Sequence, residues 1–384
     1  MSNLSGIIPY TELFETAALY ARDTAFTSEG KFKALINNAY TRELIRNEDW
    51  DFLVKESSIS CSAKYNTGTV AITAGATALT GTGTVWTSAM TSANGWKIKF
   101  SGNDLIYDFT RTGNTAATIS PALSGATSLS GAGYTLFRDS YSLASDFFRF
   151  LLGEEGGLKI MKSGKYNIAY VASDKRWREE YNFTPSDSLN MCRLLQYDSS
   201  RNRRIQINPP SNTAIIIPYS YIQALTPMTE YTTGYISAIT NGATGVTGLG
   251  TAWNVTGNID TSTYAYYFRM DVDGTGPDSV WYKIDSVGGA TSITLASNYG
   301  GTTISSGIST DTYTISRIPE MPSEFHDLLI YCAVIDGIAD EGDPNYQYYM
   351  AKKAQIYSEC KMMYKSRRLN TQFGVEDSWR GQPH

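Results

Sequence analysis

The sequence predicts an α+β chain in which helices from both termini form one bundle, from which a β-rich middle emerges. Three observations carry this. Apolar residues recur at helical spacing near both ends, whereas the middle is dense in Thr, Val, Ile and Gly with short alternating runs. A twelve-residue pattern, Gly75-Ala-Thr-Ala-Leu-Thr-Gly-Thr-Gly-Thr-Val-Trp86, returns as Gly242-Ala-Thr-Gly-Val-Thr-Gly-Leu-Gly-Thr-Ala-Trp253, 167 residues later. Two copies at so long a period are not a solenoid; they mark one β module used twice.

Residues 8 to 55 read as two helices. Leu13, Phe14, Ala17, Ala18 and Tyr20 make the first stripe, and Phe32, Leu35, Ile36, Ala39, Tyr40 and Leu44 the second. Thr27 to Gly30 is the turn between them, and Trp50, Phe52 and Leu53 anchor the exit. The first β module spans 64–138, with the alternating run Trp96-Lys-Ile-Lys-Phe100 and the closing strand Gly133 to Phe137. The second spans 232–318 and closes on Thr312 to Ile315. Both are expected to be sandwich-like or barrel-like insertions, with Trp86 and Trp253 as their anchors.

Between them, 139–231 reads as a central β unit. Its strand signals are Tyr141 to Phe148, Arg204 to Asn208 and Ala214 to Tyr221, the last two joined by a Pro-Ser-Asn turn. Helix returns at 319–369. Phe325, Leu328, Leu329, Cys332 and Ala333 form one stripe; Asp343-Pro344 is a start signal for the last helix, along which Tyr346, Met350, Ala354, Tyr357 and Tyr364 share a face. Residues 370–384 read as an extended tail, and 1–63 as the N-terminal part of the helical core.

Composition narrows the function classes. Charged residues are only 18%, against about 25% in ordinary soluble proteins, and the difference is made up by Thr, Ser, Gly, Asn and 27 Tyr. Tyrosine suits contact surfaces that are apolar on one side and wet on the other. A net charge of −5 argues against a general nucleic-acid binder. Cys61, Cys192, Cys332 and Cys360 form no C-x-x-C pair and read as reduced thiols. No secretory signal and no membrane span are expected.

Chemistry-bearing patterns are sparse. The chain has two histidines, His326 in the helical stripe and His384 at its last position, too few for a His-based metal site or a positioned acid–base pair. Asp271 to Asp278 resembles a calcium loop in part but lacks its closing Glu, so a β turn is expected. The Thr-Gly-x-Gly-Thr loops have no following Lys and no helix, which excludes a phosphate loop. Glu154 and Glu155 are adjacent and followed by two glycines, which suits a solvated turn better than a hydrolase carboxylate pair. No catalytic residue, cofactor or metal is expected. The one charged feature is the C-terminal arm. From Ala351 onward Lys352, Lys353, Lys361, Lys365, Arg367, Arg368 and Arg380 outnumber Glu359, Glu376 and Asp377. An arm of this kind suits docking on an acidic partner surface, with Tyr357 and Tyr364 as aromatic anchors.

At both ends the chain resembles the head-to-tail adaptor (neck or connector) proteins of tailed bacteriophages, including tubular and gatekeeper-type adaptors. Phe32 to Leu53, ending in Trp50-Asp-Phe-Leu, is similar to the adaptor helix and its exit element. Tyr141-Ser-Leu-Ala-Ser-Asp-Phe resembles a strand leading to the family's Leu-Pro-x-Asp-Phe turn, with Ala144 in place of Pro. Ile318-Pro-Glu-Met-Pro-Ser-Glu-Phe-His-Asp-Leu-Leu329 resembles the start of the closing helical pair. The resemblance implies a non-enzymatic virion protein, made in the host cytoplasm, that forms a ring of usually twelve copies. The ring would sit between the portal protein and a tail or nozzle protein, with double-stranded DNA passing through without sequence-specific binding and without membrane contact. Tyr357, Lys361, Tyr364, Lys365, Arg367, Arg368, Phe373 and Trp379 are then the expected interface with the portal or a neighbouring copy. The rival expectation is a tail-fibre or receptor-binding adhesin carrying repeated β modules.

Overall fold

A computed structural model describes residues 6–22, 29–125, 127–150, 160–162, 166–170, 174–181, 183–271, 280–305, 311–338 and 344–369, and the side chains of the last helix through 364. In chain order the first elements are α1 (Tyr10–Tyr20), α2 (Glu29–Asn38), a π-helical turn (Ala39–Glu43) and α3 (Leu44–Asn47). The strands that follow are β1 (Val54–Cys61), β2 (Thr69–Ile72), β3 (Ala78–Thr82), β4 (Trp96–Phe100), β5 (Ile106–Arg111), β6 (Ala116–Ser120), β7 (Leu129–Ala132), β8 (Tyr134–Arg138), β9 (Ser140–Ser142), β10 (Phe147–Phe150), β11 (Ile160–Lys162) and β12 (Tyr166–Tyr170). After α4 (Asp174–Glu180) come β13 (Met191–Tyr197), β14 (Arg203–Asn208), β15 (Ile215–Gln223), β16 (Glu230–Tyr231), β17 (Tyr235–Ile239), β18 (Gly245–Leu249), β19 (Tyr266–Met270), β20 (Tyr282–Gly289), β21 (Ser292–Leu295) and β22 (Tyr313–Arg317). The chain closes with α5 (His326–Gly337) and α6 (Pro344–Leu369).

The expected α+β class with a helical bundle from both termini is not what forms. The described residues are mostly β, in four sheets, and helix is the minor component. The terminal stripes do make helices, but α1 is buried partly on strand. The Thr11 backbone N–H donates to Ser316 Oγ on β22, and the Thr11 hydroxyl donates to Glu230 on β16. α1 also packs against α2 and α5, so the helices meet one another and a sheet at once and do not stand apart as a separate bundle. α5 is buried on nearly every side, from His326 through Ile335, rather than along one stripe.

The chain divides into two compact units, one of 54–224 and one of 1–53 with 225–384. The first boundary lies at Leu53, and Val54 to Cys61 is a strand paired antiparallel with β15 in unbroken register, Val54 opposite Ile222 and Cys61 opposite Ile215. In the 54–224 unit two further sheets have the orders β1-β15-β10 and β11-β12-β13-β14-β9. Their inward side chains, among them Ile59, Tyr141, Ile205, Ile217 and Tyr219, form one apolar cluster. β14 and β15 follow one another in sequence but belong to different sheets.

Each module is one antiparallel seven-stranded sheet around its own core. The orders are β7-β2-β3-β6-β5-β4-β8 and, read the same way, β17-β18-β21-β20-β19-β22-β16. Strand periodicity makes this legible locally. Trp96, Ile98 and Phe100 are buried while Lys97 and Lys99 are half-buried, because alternate side chains leave opposite faces of a strand.

Candidate interaction surface

The repeated Trp sits at the same place in each module, held by the same bonds. Trp86 Nε1 donates to Tyr134 Oη at 3.1 Å, and that hydroxyl donates to the Thr67 carbonyl at 2.6 Å. Trp253 Nε1 donates to Tyr313 Oη at 2.9 Å, and that hydroxyl donates to the Thr233 carbonyl at 2.5 Å. The loop before each Trp is pinned alike. Gly81 N–H and Trp86 N–H donate to the Thr115 and Asn114 carbonyls, and Gly248 and Trp253 do so to Thr291 and Ala290. Glycine is required at 81 and 248 because an added Cβ would lie 2.9 Å from the Trp86 ring or 2.7 Å from the Trp253 ring. Trp86 and Trp253 are thus core anchors, 1% and 0% exposed.

The C-terminal helix α6 lies on the 1–53 and 225–384 unit through an aromatic cluster and two ion pairs. Trp50 meets Phe325 edge-to-face at 4.9 Å and Tyr357 at 5.8 Å. Phe52 and Phe325 both contact Tyr364. Lys353 Nζ lies 2.5 Å from Glu43 and Lys361 Nζ 2.5 Å from Glu48. The Tyr357 hydroxyl donates to Glu48 at 3.3 Å; burial, reinforced by the Glu48 charge, pushes this phenol up to about 12. Beneath the helix a pocket of about 340 Å³ is lined by Glu43, Leu44, Leu328, Met350, Lys353 and Tyr357, among others. Burial pushes the nearby Cys332 thiol up to about 12, so it stays protonated and inert.

Three of the expected interface residues, Tyr357, Lys361 and Tyr364, are therefore brought together on the inner face of α6 with partners in their own chain. Lys365, Arg367 and Arg368 fall where the side chains lie outside the described residues, and Phe373 and Trp379 lie outside them altogether, as do Glu154, Glu155, His384 and the loop after Asp271. Sequence reasoning missed Glu43, Glu48 and Glu324 as the acidic partners of α6, and no local signal names them, since Glu43 and Lys353 are joined only by folding. The outward face of α6 carries Tyr348, Met362 and Met363, exposed by 55%, 65% and 50%.

His326 is a structural histidine. Its Nδ1 accepts from the Ile8 backbone N–H at 2.9 Å, which puts the proton of the neutral ring on Nε2. Burial holds it down to about 4, so it is uncharged at neutral pH. Among the described residues no group of three or more His, Cys, Asp or Glu could hold a metal ion, and no helix is long and apolar enough to cross a membrane. None of the four cysteines is in a disulfide, and all four are buried.

No family model matches the chain, and no curated protein matches it. One solved structure, translation elongation factor SelB from Methanococcus maripaludis in complex with a GTP analogue, aligns at 11% identity over 78% of this chain and 69% of that one, with a TM-score of 0.14. A TM-score this low carries no argument about fold or activity.

Proposed function

We propose that this chain is a non-catalytic head-to-tail adaptor of a tailed bacteriophage, a ring between portal and tail through which DNA passes. One observation carries the reading. Two segments that resemble the adaptor family, Phe32 to Leu53 and Ile318 to Leu329, lie 265 residues apart in sequence, from Leu53 to Ile318, yet pack together where Trp50 meets Phe325 at 4.9 Å. Further support comes from α6. Its 26 residues extend about 39 Å, and Cys360 is its one buried residue among the described side chains. Its exposed Met and Tyr face suits a neighbouring copy or the portal, because flexible thioethers and amphipathic rings adapt to a partner at low cost. In this reading Tyr357, Lys361 and Tyr364 orient the helix, and the outward residues with the basic end of the arm make the contact.

The test is the mass of the purified protein alone and mixed with its portal, by light scattering and negative-stain imaging. A ring, alone or on the portal, is expected. Removing 365–384 is expected to leave the fold intact and weaken portal binding at least tenfold. A monomer or trimer that ignores the portal overturns the reading in favour of an adhesin.

A further inference from the structure

The two modules diverge at one matched position, and there the first module keeps an open pocket. Lys99 opposite Thr135 on β4 and β8 corresponds to Arg269 opposite Thr314 on β19 and β22. In the second module this position is filled. Arg269 lies over the Trp281 ring at 4.6 Å and pairs with Glu15 and Asp271, while the Thr314 hydroxyl donates to Asp271 at 2.8 Å. In the first module Lys99 has Asp104 at 3.2 Å, and both line a pocket of about 290 Å³ together with Thr135, Phe183 and Pro185.

We propose that this pocket binds one neutral hexose ring, free or as the terminal residue of a glycan. The volume lies at the small end for ligand sites and suits a single six-membered ring. Its chemistry has two sides. Phe183 and Pro185 offer apolar surface, on which the C–H face of a saturated sugar ring is removed from water. The same lining supplies a carboxylate acceptor on Asp104, an ammonium donor on Lys99 and the Thr135 hydroxyl. Vicinal hydroxyls satisfy such a set because each both donates and accepts, and bonds to charged partners are the stronger kind. Lys99 and Asp104 neutralise each other, so a charged ligand gains no net attraction. The Asn103 side chain holds the rim by accepting from the Leu105 N–H at 2.8 Å.

The experiment is saturation-transfer NMR of the full chain with glucose, galactose, mannose, N-acetylglucosamine and glycine. Oligosaccharides of the same sugars distinguish a glycan end from a free monosaccharide by tighter binding. Transfer to one hexose with a dissociation constant on the order of millimolar is expected. Lys99→Met and Asp104→Asn should each weaken it at least fivefold, whereas Arg269→Lys in the second module should not change it. Asp104 is fully exposed, so its variant keeps the fold even if a change at Phe183 does not. No transfer to any sugar, transfer to glycine instead, or transfer that both variants leave intact overturns the proposal. The pocket does not depend on ring formation, and mass measurement tests the adaptor reading separately.

Discussion

In the first module Trp86, Tyr134 and Thr67 form a buried relay, and in the second Trp253, Tyr313 and Thr233 form the same relay to within a few tenths of an ångström. The edges also correspond. The bridge Tyr65–Leu136 in the first becomes the short strand β16 beside β22 in the second, and strand β7 becomes the bridge Ile239–Ile304. What differs is the outer face. Lys97 in the first module pairs with buried Asp139, which also accepts from Tyr181 and Gln206. The matching face of the second packs Tyr267 and Trp281 with Ile318 and Ile7 and ties Arg269 to Glu15. The comparison teaches that the module's interior is self-sufficient, whereas its outer face is rewritten for each setting.

The strongest way to break this comparison is to remove both anchors in turn. Trp86→Ala and Trp253→Ala each delete a fully buried indole, at a cost of about 3–5 kcal/mol. Local hydrogen exchange read by mass spectrometry should show equal losses of protection in the two modules. A loss several-fold smaller in one would mean that its neighbours, not its own core, hold it.

The second test separates the units by pH. His326 belongs to the unit containing the second module, and 54–224 contains no histidine. Its folded value of about 4 lies below the ordinary 6.5, so the unfolded chain binds the extra proton between those limits. Its contribution is fully present above about pH 6.5 and lost as pH falls towards 4, up to about 3 kcal/mol. Urea unfolding at pH 7 and pH 4.5 should show this loss, and His326→Asn should flatten that part of the profile. An unchanged profile in the variant would remove His326 as the cause.

The smallest expected effect sharpens the turn geometry. Gly81→Ala and Gly248→Ala force a Cβ against Thr84 and Trp86, or against Thr251 and Trp253, and overpacking of this kind costs about 1–3 kcal/mol. Thermal unfolding should register similar shifts for both. Gly30→Ala, at a helical site with open space around the Cβ, is the control and should be neutral or slightly stabilising.

Much of the module was legible because its signals are local. Alternation in Trp96 to Phe100, the paired glycines and the repeated Trp all act within a few residues of one another. The candidate surface was legible in part. Tyr357, Lys361 and Tyr364 were visible as an aromatic and basic helix face, yet the side chains that receive them, Glu48, Phe52, Phe325 and Glu324, lie far away in sequence or on another element. The bundle expectation failed for the same reason, since an apolar stripe states that a helix must be covered but not by what.

Local patterning settles that one β module occurs twice, where its turns fall, and that helices stand near both ends, because each follows from the periodicity and steric demands of neighbouring residues. Folding alone selects the pairing of Val54 to Cys61 with β15, the contact of α1 with β22 and β16, the hold of Glu43 and Glu48 on α6, and the pocket beside Lys99 where Arg269 fills the matching position. These are pairings between residues distant in the chain, and they are selected by which apolar faces and buried charges find partners once the whole core closes.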